Sequence, residues 1–222
     1  LLISSLAPDF LDFLDKYLNN KINEGNFKNN IDELAEKFIQ QKNNFRETRF
    51  INFLLLFYNL NNYVNKKKDK LIILNRHDPY SEYFQKEKKF YCNFKGVELK
   101  KLNKINKYDF ILSDKQRIVV SDISTLSREC LAINMKCLFF NKYINYTGEY
   151  WTSAKSIFYS KKENNEKFDL RLDKIKLLSK DSYMNEKDKI NNTSIVISPD
   201  QDNFDYFLKK TNLKLNKLHD KI

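Results

Sequence analysis

The stretch Arg117–Asn141, RIVVSDISTLSRECLAINMKCLFFN, constrains the fold more than any other. It reads as strand, short polar turn, helix and strand. Arg117–Val120 is an apolar run with β-branched residues, ended by Ser121 and Asp122. Ser124 and Thr125 are placed to cap a helix in which Leu126, Cys130, Leu131 and Ile133 fall near helical spacing. Lys136–Phe140 is a second apolar run. Two strands joined through one helix imply a right-handed crossover and parallel pairing. In such sheets ligands bind beyond the carboxyl ends of the strands. The unpaired N–H groups that open the helix favour phosphate.

The rest of the chain is read around this unit. Leu1–Ser4 is a short first strand, and Pro8 opens a helix with Phe10, Phe13, Leu14, Tyr17 and Leu18 as its stripe. A polar connector, Asn19–Asn29, leads to a second helical face at Ile31, Leu34, Ala35, Phe38 and Ile39. Arg46–Val64 reads as a third helix. Its segment Phe50–Tyr58, FINFLLLFY, is apolar nearly all round and predicts deep burial. Leu71–Leu74, LIIL, is short enough for a buried parallel strand. Phe90–Cys92 reads as another short strand, Val97–Ile105 as helix and Tyr108–Leu112 as a further short helix. Asn141–Ser160 reads as a long aromatic loop. A helix around Phe168–Leu178, a short strand at Ser194–Ile197 and a helix over Asp202–Leu218 complete the pattern. Helices alternating with short apolar runs place the chain in the α/β class: a mostly parallel, Rossmann-like sheet of about four to six strands flanked by helices. Residues 1–70 form its mainly helical N-terminal part.

The 222 residues are 41% hydrophobic, enough for one sizeable core. Net charge is +11, from 40 Lys+Arg against 29 Asp+Glu, which suits an anionic partner. A bias toward Lys, Asn, Ile, Phe and Tyr supplies the same excess without any partner. The lysine runs Lys86–Lys89 and Lys161-Lys162 come without an RNA-recognition or helix-turn-helix signal, so nucleic acid is not an expected partner. Cys92, Cys130 and Cys137 form no CxxC, and His77 and His219 are the only histidines. No metal site is expected, and the cysteines read as buried free thiols of a reducing compartment. LLISSLAPDF has neither the charged nor the long apolar region of a signal peptide, and Phe50–Tyr58 is about half a membrane span. The expected location is the cytoplasm.

Three stretches could carry chemistry. In Ser121–Glu129, SDISTLSRE, Ser124 and Thr125 could share a bound phosphate with the helix N-terminus, and Glu129, one turn in, could accept from sugar hydroxyls. The same residues also fit an ordinary helix cap with a solvated glutamate. In Arg76-His77-Asp78-Pro79, Arg76 could neutralise a phosphate and His77 could donate to a leaving oxygen, or the four could form a plain surface turn. Tyr143–Trp151, YINYTGEYW, could stack on a base or sugar ring, or could simply pack over the sheet. Three glycines in the whole chain leave no GxGxxG, GxxxxGK[ST] or GxSxG.

At these residues the sequence resembles a family. VVSDISTLSRECLAINMKCLFF is similar to the donor-site segment in the C-terminal domain of GT-B glycosyltransferases, nearest to bacterial surface-polysaccharide enzymes and the CDP-glycerol glycerophosphotransferase group. Asp122, Ser124, Thr125, Glu129 and Ala132 carry the match. Upstream, IILNRHDP resembles the family's strand ending in a basic residue, His and Pro, with Asp78 intervening before Pro79. Downstream, ISPDQDNFDYFLKK resembles a C-terminal element of surface-carbohydrate proteins through Asp202, Asn203 and Phe204.

The resemblance spans Leu71–Lys210 and implies transfer of a sugar or glycerol-phosphate unit from a nucleotide-activated donor, with no separate cofactor. Arg76, Asp122, Ser124, Thr125 and Glu129 would bind the donor and its phosphates, with His77 catalytic. The acceptor would be a glycan or a lipid-linked glycan, reached by peripheral association with the inner face of the membrane. Such enzymes have two Rossmann-like domains. A chain of this length that begins at Leu1 is therefore expected to be the donor-binding part of a longer enzyme. Two other readings stand beside this one: a non-catalytic basic module for nucleic acid or anionic glycan, and a nucleotide-sugar epimerase of the same fold.

Overall fold

The computed structural model describes residues 1–18, 27, 29, 31–33, 45–114, 117–122, 124–142, 156–161 and 163–191. The expectations for Tyr143–Trp151, Ser194–Ile197, Asp202–Leu218, most of Asn19–Asn29 and the helical face at Leu34, Ala35, Phe38 and Ile39 lie outside these residues.

Six strands, β1 (Leu2–Ile3), β2 (Leu71–Leu74), β3 (Val97–Lys100), β4 (Val119–Ser121), β5 (Cys137–Asn141) and β6 (Tyr159–Lys161), form one sheet in the order β3-β2-β1-β4-β5-β6. Every pairing is parallel, so the fold is α/β and Rossmann-like. Among the described residues, the helices with full bounds are α1 (Pro8–Leu18), α2 (Phe45–Lys67), α3 (Glu82–Tyr91), α4 (Lys104–Leu112), α5 (Thr125–Ala132), α6 (Asn165–Leu177) and α7 (Lys180–Asn191).

Both faces of the sheet are covered, and the strands divide their side chains between them. Leu2, Ile73, Val120, Leu138 and Phe140 join α1, α2, α3 and α6 in one cluster. Ile3, Leu74, Val119, Cys137 and Phe139 join α4, α5 and α7 in the other. This two-residue alternation within largely apolar central strands is what a doubly covered parallel sheet requires.

Helix α2 is the largest contributor to the first cluster, and every residue from Phe50 to Phe57 is buried. Asn52 sits inside that run with no exposed surface. Its Nδ2 donates to the Phe140 carbonyl at 3.2 Å, and its Oδ1 accepts from the Lys142 N–H at 2.7 Å. A polar residue in an all-apolar segment thus closes the open end of β5. Replacing it by alanine removes both hydrogen bonds, the one to the Phe140 carbonyl from a buried group. The Asn52→Ala variant should lose about 2 kcal/mol in urea unfolding. A loss within about 0.5 kcal/mol would mean that water replaces the amide.

Two expectations are corrected. Val97–Ile105 is not helical at its start: Val97–Lys100 is the edge strand β3, entered through Gly96 at φ +74°. The alternation Val-Glu-Leu-Lys was its signal, and its charged residues suit an edge. Phe90–Cys92 is not a strand; Phe90 and Tyr91 end α3 and Cys92 caps it, exposed rather than buried. The Asn141–Ser160 loop also gives way at its end to β6, and α7 follows where no element was expected.

Candidate functional site

Strand order reverses between β1 and β4, so the connections leaving their carboxyl ends diverge and leave a crevice. Two adjoining cavities of about 340 Å³ each occupy it. One lies over β1, β2 and β4 and is lined by Ser5, Arg49, Asn75, Arg76, Lys107 and Ser124 together with Ile3, Ser4, Leu74 and Leu126. Its neighbour lies between α1 and α2 and is lined by Asp9, Phe10, Phe50 and Phe53 with Ser5, Leu6, Ala7, Arg49 and Arg76. Ser5, Arg49 and Arg76 border both.

Three cations therefore converge on one crevice. Arg76 extends from the end of β2, and its Nη1 donates to the Ser5 carbonyl at 2.6 Å. Burial and then the neighbouring charge of Arg49 lower its pKa from the ordinary arginine value, although it remains charged. Arg49, on α2, is anchored by Asp122: its Nε donates to Oδ2 at 3.2 Å. Lys107, on α4, is half-buried, and its ammonium makes no hydrogen bond or ion pair among the described residues. Burial lowers its pKa, against the attraction of Glu87 and Asp78. Like charges gather in this way at a cost, which a bound anion removes.

The turn from β4 into α5 behaves partly as expected. Ser124 is the N-cap, with extended φ −138° and ψ 131°, yet its side chain makes no cap hydrogen bond. Ser127 stitches the turn instead. Its hydroxyl donates to the Ser124 carbonyl at 3.0 Å and contacts the Ser121 hydroxyl at 2.5 Å. Ser124 thus lines the crevice with a hydroxyl that makes no cap hydrogen bond, and no acidic residue occupies the first turn of α5. Thr125 is the first residue of that helix; its side chain lies outside the described set.

The other expected residues are placed differently. Asp122 is fully buried and holds Arg49 and the Ser5 hydroxyl, which donates to Oδ2 at 3.1 Å. It positions the cationic rim and does not line either cavity. Glu129 accepts from the Tyr108 hydroxyl at 2.7 Å and lines neither cavity. His77 faces the β1–α1 turn: its Nε2–H donates to the Leu6 carbonyl at 2.8 Å, and its ring lies 5.5 Å from that of Tyr83. Burial lowers its pKa below the ordinary 6.5, so it is neutral at pH 7.

Beneath the crevice lies a polar network with no sequence signature. Glu87 of α3 has no exposed surface. Its carboxylate accepts from the Ser4 hydroxyl at 2.5 Å, from the Arg76 N–H at 3.2 Å and from the His77 N–H at 3.4 Å. Tyr91 donates to Ser4 at 3.1 Å. Burial raises the Glu87 pKa despite these donors. One buried carboxylate thus fastens β1 to the turn that carries Arg76. Sequence reading missed Ser4, Ser5, Arg49, Glu87 and Lys107, because an Arg, a Glu or a Lys on an amphipathic helix looks like any other. Only crowding near a strand end marks it out.

Among the described residues, no group of three or more His, Cys, Asp or Glu side chains is placed to hold a metal ion, and no helix is long and apolar enough to cross a membrane. Compared with protein-family models, with curated proteins and with solved structures, the chain matches none.

Proposed function

We propose that the chain binds a nucleotide-activated donor in this crevice, as the donor-binding part of an enzyme that transfers a sugar or glycerol-phosphate unit in cell-surface polysaccharide synthesis. One observation carries the proposal: Arg49, Arg76 and Lys107 converge beyond the strand ends, beside a Ser124 hydroxyl that makes no cap hydrogen bond. That arrangement fits phosphate, and phosphate at a strand-order reversal is a common mark of nucleotide ligands. The transfer step and the glycan acceptor rest on the sequence resemblance alone. The basic-module reading is weaker, because lysines of α2, α3 and α6 are interleaved with carboxylates. Lys66–Asp169, Lys86–Asp12, Lys89–Asp15 and Lys176–Asp69 all lie within 2.9 Å. Such pairing breaks up a continuous basic face.

A thermal-shift screen against CMP, CDP, UDP, GDP and their sugar or glycerol conjugates tests the proposal. A ligand at 100 times its dissociation constant should stabilise the chain by about 2.7 kcal/mol. Ser124→Ala and Arg76→Ala should leave the melting temperature of the free protein nearly unchanged and weaken binding by about tenfold. Wild-type affinity in both variants would remove the crevice from the account. Salt-dependent binding to polyanions without any nucleotide effect would favour the basic module instead.

A further inference from the structure

The two cavities differ in chemistry, and the difference assigns an orientation and a class of ligand. The chamber between α1 and α2 has an apolar wall of Phe10, Phe50 and Phe53, with the Phe10 and Phe50 rings stacked 4.4 Å apart. Asp9 stands exposed at its rim. The nearby N-terminus of α1 is unsuited to an anion, since Pro8 offers no N–H and Asp9 brings a negative charge into the first turn. The chamber over β4 is the reverse: Lys107 and Ser124 line it, and α5 begins without an acidic residue. Arg49, Arg76 and Ser5 stand where the two meet.

We infer that the ligand is a nucleoside diphosphate or its ester laid across both chambers. This deepens the reading above and depends on it. The base lies against the half-buried Phe10, with Phe50 and Phe53 buried behind it, and the sugar hydroxyls donate to Asp9. The first phosphate sits between Arg49 and Arg76. The second reaches Lys107, Ser124 and the start of α5. Three cations, one of them already engaged by Asp122, suit two phosphates better than one. Each chamber alone is at the small end of the range for ligand pockets; together they reach its middle.

Calorimetric titration of the full chain with inorganic pyrophosphate and with CDP, UDP and GDP tests the inference. At least one nucleoside diphosphate should bind about tenfold more tightly than pyrophosphate, because only it fills the aromatic chamber. Lys107→Ala should weaken both kinds of ligand by about tenfold. Among the described residues its ammonium has no hydrogen-bond or ion-pair partner to orphan, and an unchanged melting temperature verifies folding. Asp9→Asn separates the chambers, because it should weaken the nucleoside diphosphate about fivefold while leaving pyrophosphate unchanged or slightly tighter. Equal affinity for pyrophosphate and every nucleotide would overturn the two-chamber inference and leave the phosphate site standing. So would an Asp9→Asn variant that tightens both alike. Binding of neither pyrophosphate nor any nucleotide would overturn the donor-binding reading itself.

Discussion

Glu87→Ala is expected to lose about 3 kcal/mol of stability and to weaken anion binding in the molecules that still fold. The carboxylate is wholly buried and takes three hydrogen bonds, from the Ser4 hydroxyl and from the N–H groups of Arg76 and His77. Truncation leaves those donors facing apolar surroundings, and the end of β2 loses its tie to α3. Arg76 rides on that end, so the cationic rim loosens as well. Glu87→Gln keeps the shape and two acceptor lone pairs, so it should lose far less and keep its ligand affinity.

The pH dependence supplies a second readout. Burial raises the Glu87 pKa in the folded state above the ordinary value of 4.5. The group therefore favours folding most below pH 4.5, and this contribution falls as pH rises through the folded-state pKa. Asp173 and Glu163 have lowered values and act in the opposite sense. The informative quantity is therefore the stability of wild type minus that of Glu87→Gln, measured by urea unfolding from pH 4 to pH 8. It should decline with rising pH. A flat difference would show that Glu87 titrates as it does in the unfolded chain.

Phe57→Ala is expected to cost about 4 kcal/mol, a large share of the roughly 5–15 kcal/mol that holds a domain together. Phe57 has no exposed surface. Its ring packs edge-on against Phe94 at 4.7 Å, Tyr91 at 5.2 Å and Phe27 at 5.9 Å, and lies tilted 5.5 Å from Phe90. The cluster joins α2, which carries Arg49, to α3, which carries Glu87. Loss of the ring opens a cavity between the two helices that set the crevice. Phe57→Leu fills most of that space and should cost about 1.5 kcal/mol. Equal losses for the two variants would indicate that the surroundings collapse around either side chain, and that the aromatic contacts hold nothing in place.

Legibility in the sequence followed how local the signal was. LIIL at Leu71–Leu74 and the FINFLLLFY run in α2 announced themselves, since an apolar run of either length has few other uses. The strand–turn–helix–strand unit around Ser124 was equally plain, because turn, cap and periodicity agreed. The edge strand β3 was misread, because Leu99 and Leu102 also fit a helical spacing and β-pairing is a long-range property. Arg76 and Ser124 could be suspected from their position at element ends, and both line the crevice. His77 invites the same reading from its element end and Glu129 from its place one turn into the helix, yet their partners are the Leu6 carbonyl and Tyr108, on elements distant in sequence.

By itself the sequence determined the class of fold: apolar runs too short for anything but buried strands, alternating with amphipathic helices, admit a parallel sheet covered on both faces and little else. Tertiary structure alone decided the order β3-β2-β1-β4-β5-β6, and with it which strand ends meet. Arg49, Arg76 and Lys107 come from three elements separated by dozens of residues, and nothing local draws them together. Their convergence exists because β1 pairs with both β2 and β4, which carries the turns beyond those strands to one crevice. Strand order reflects the free energy of the whole packed sheet, and no window of sequence carries that quantity.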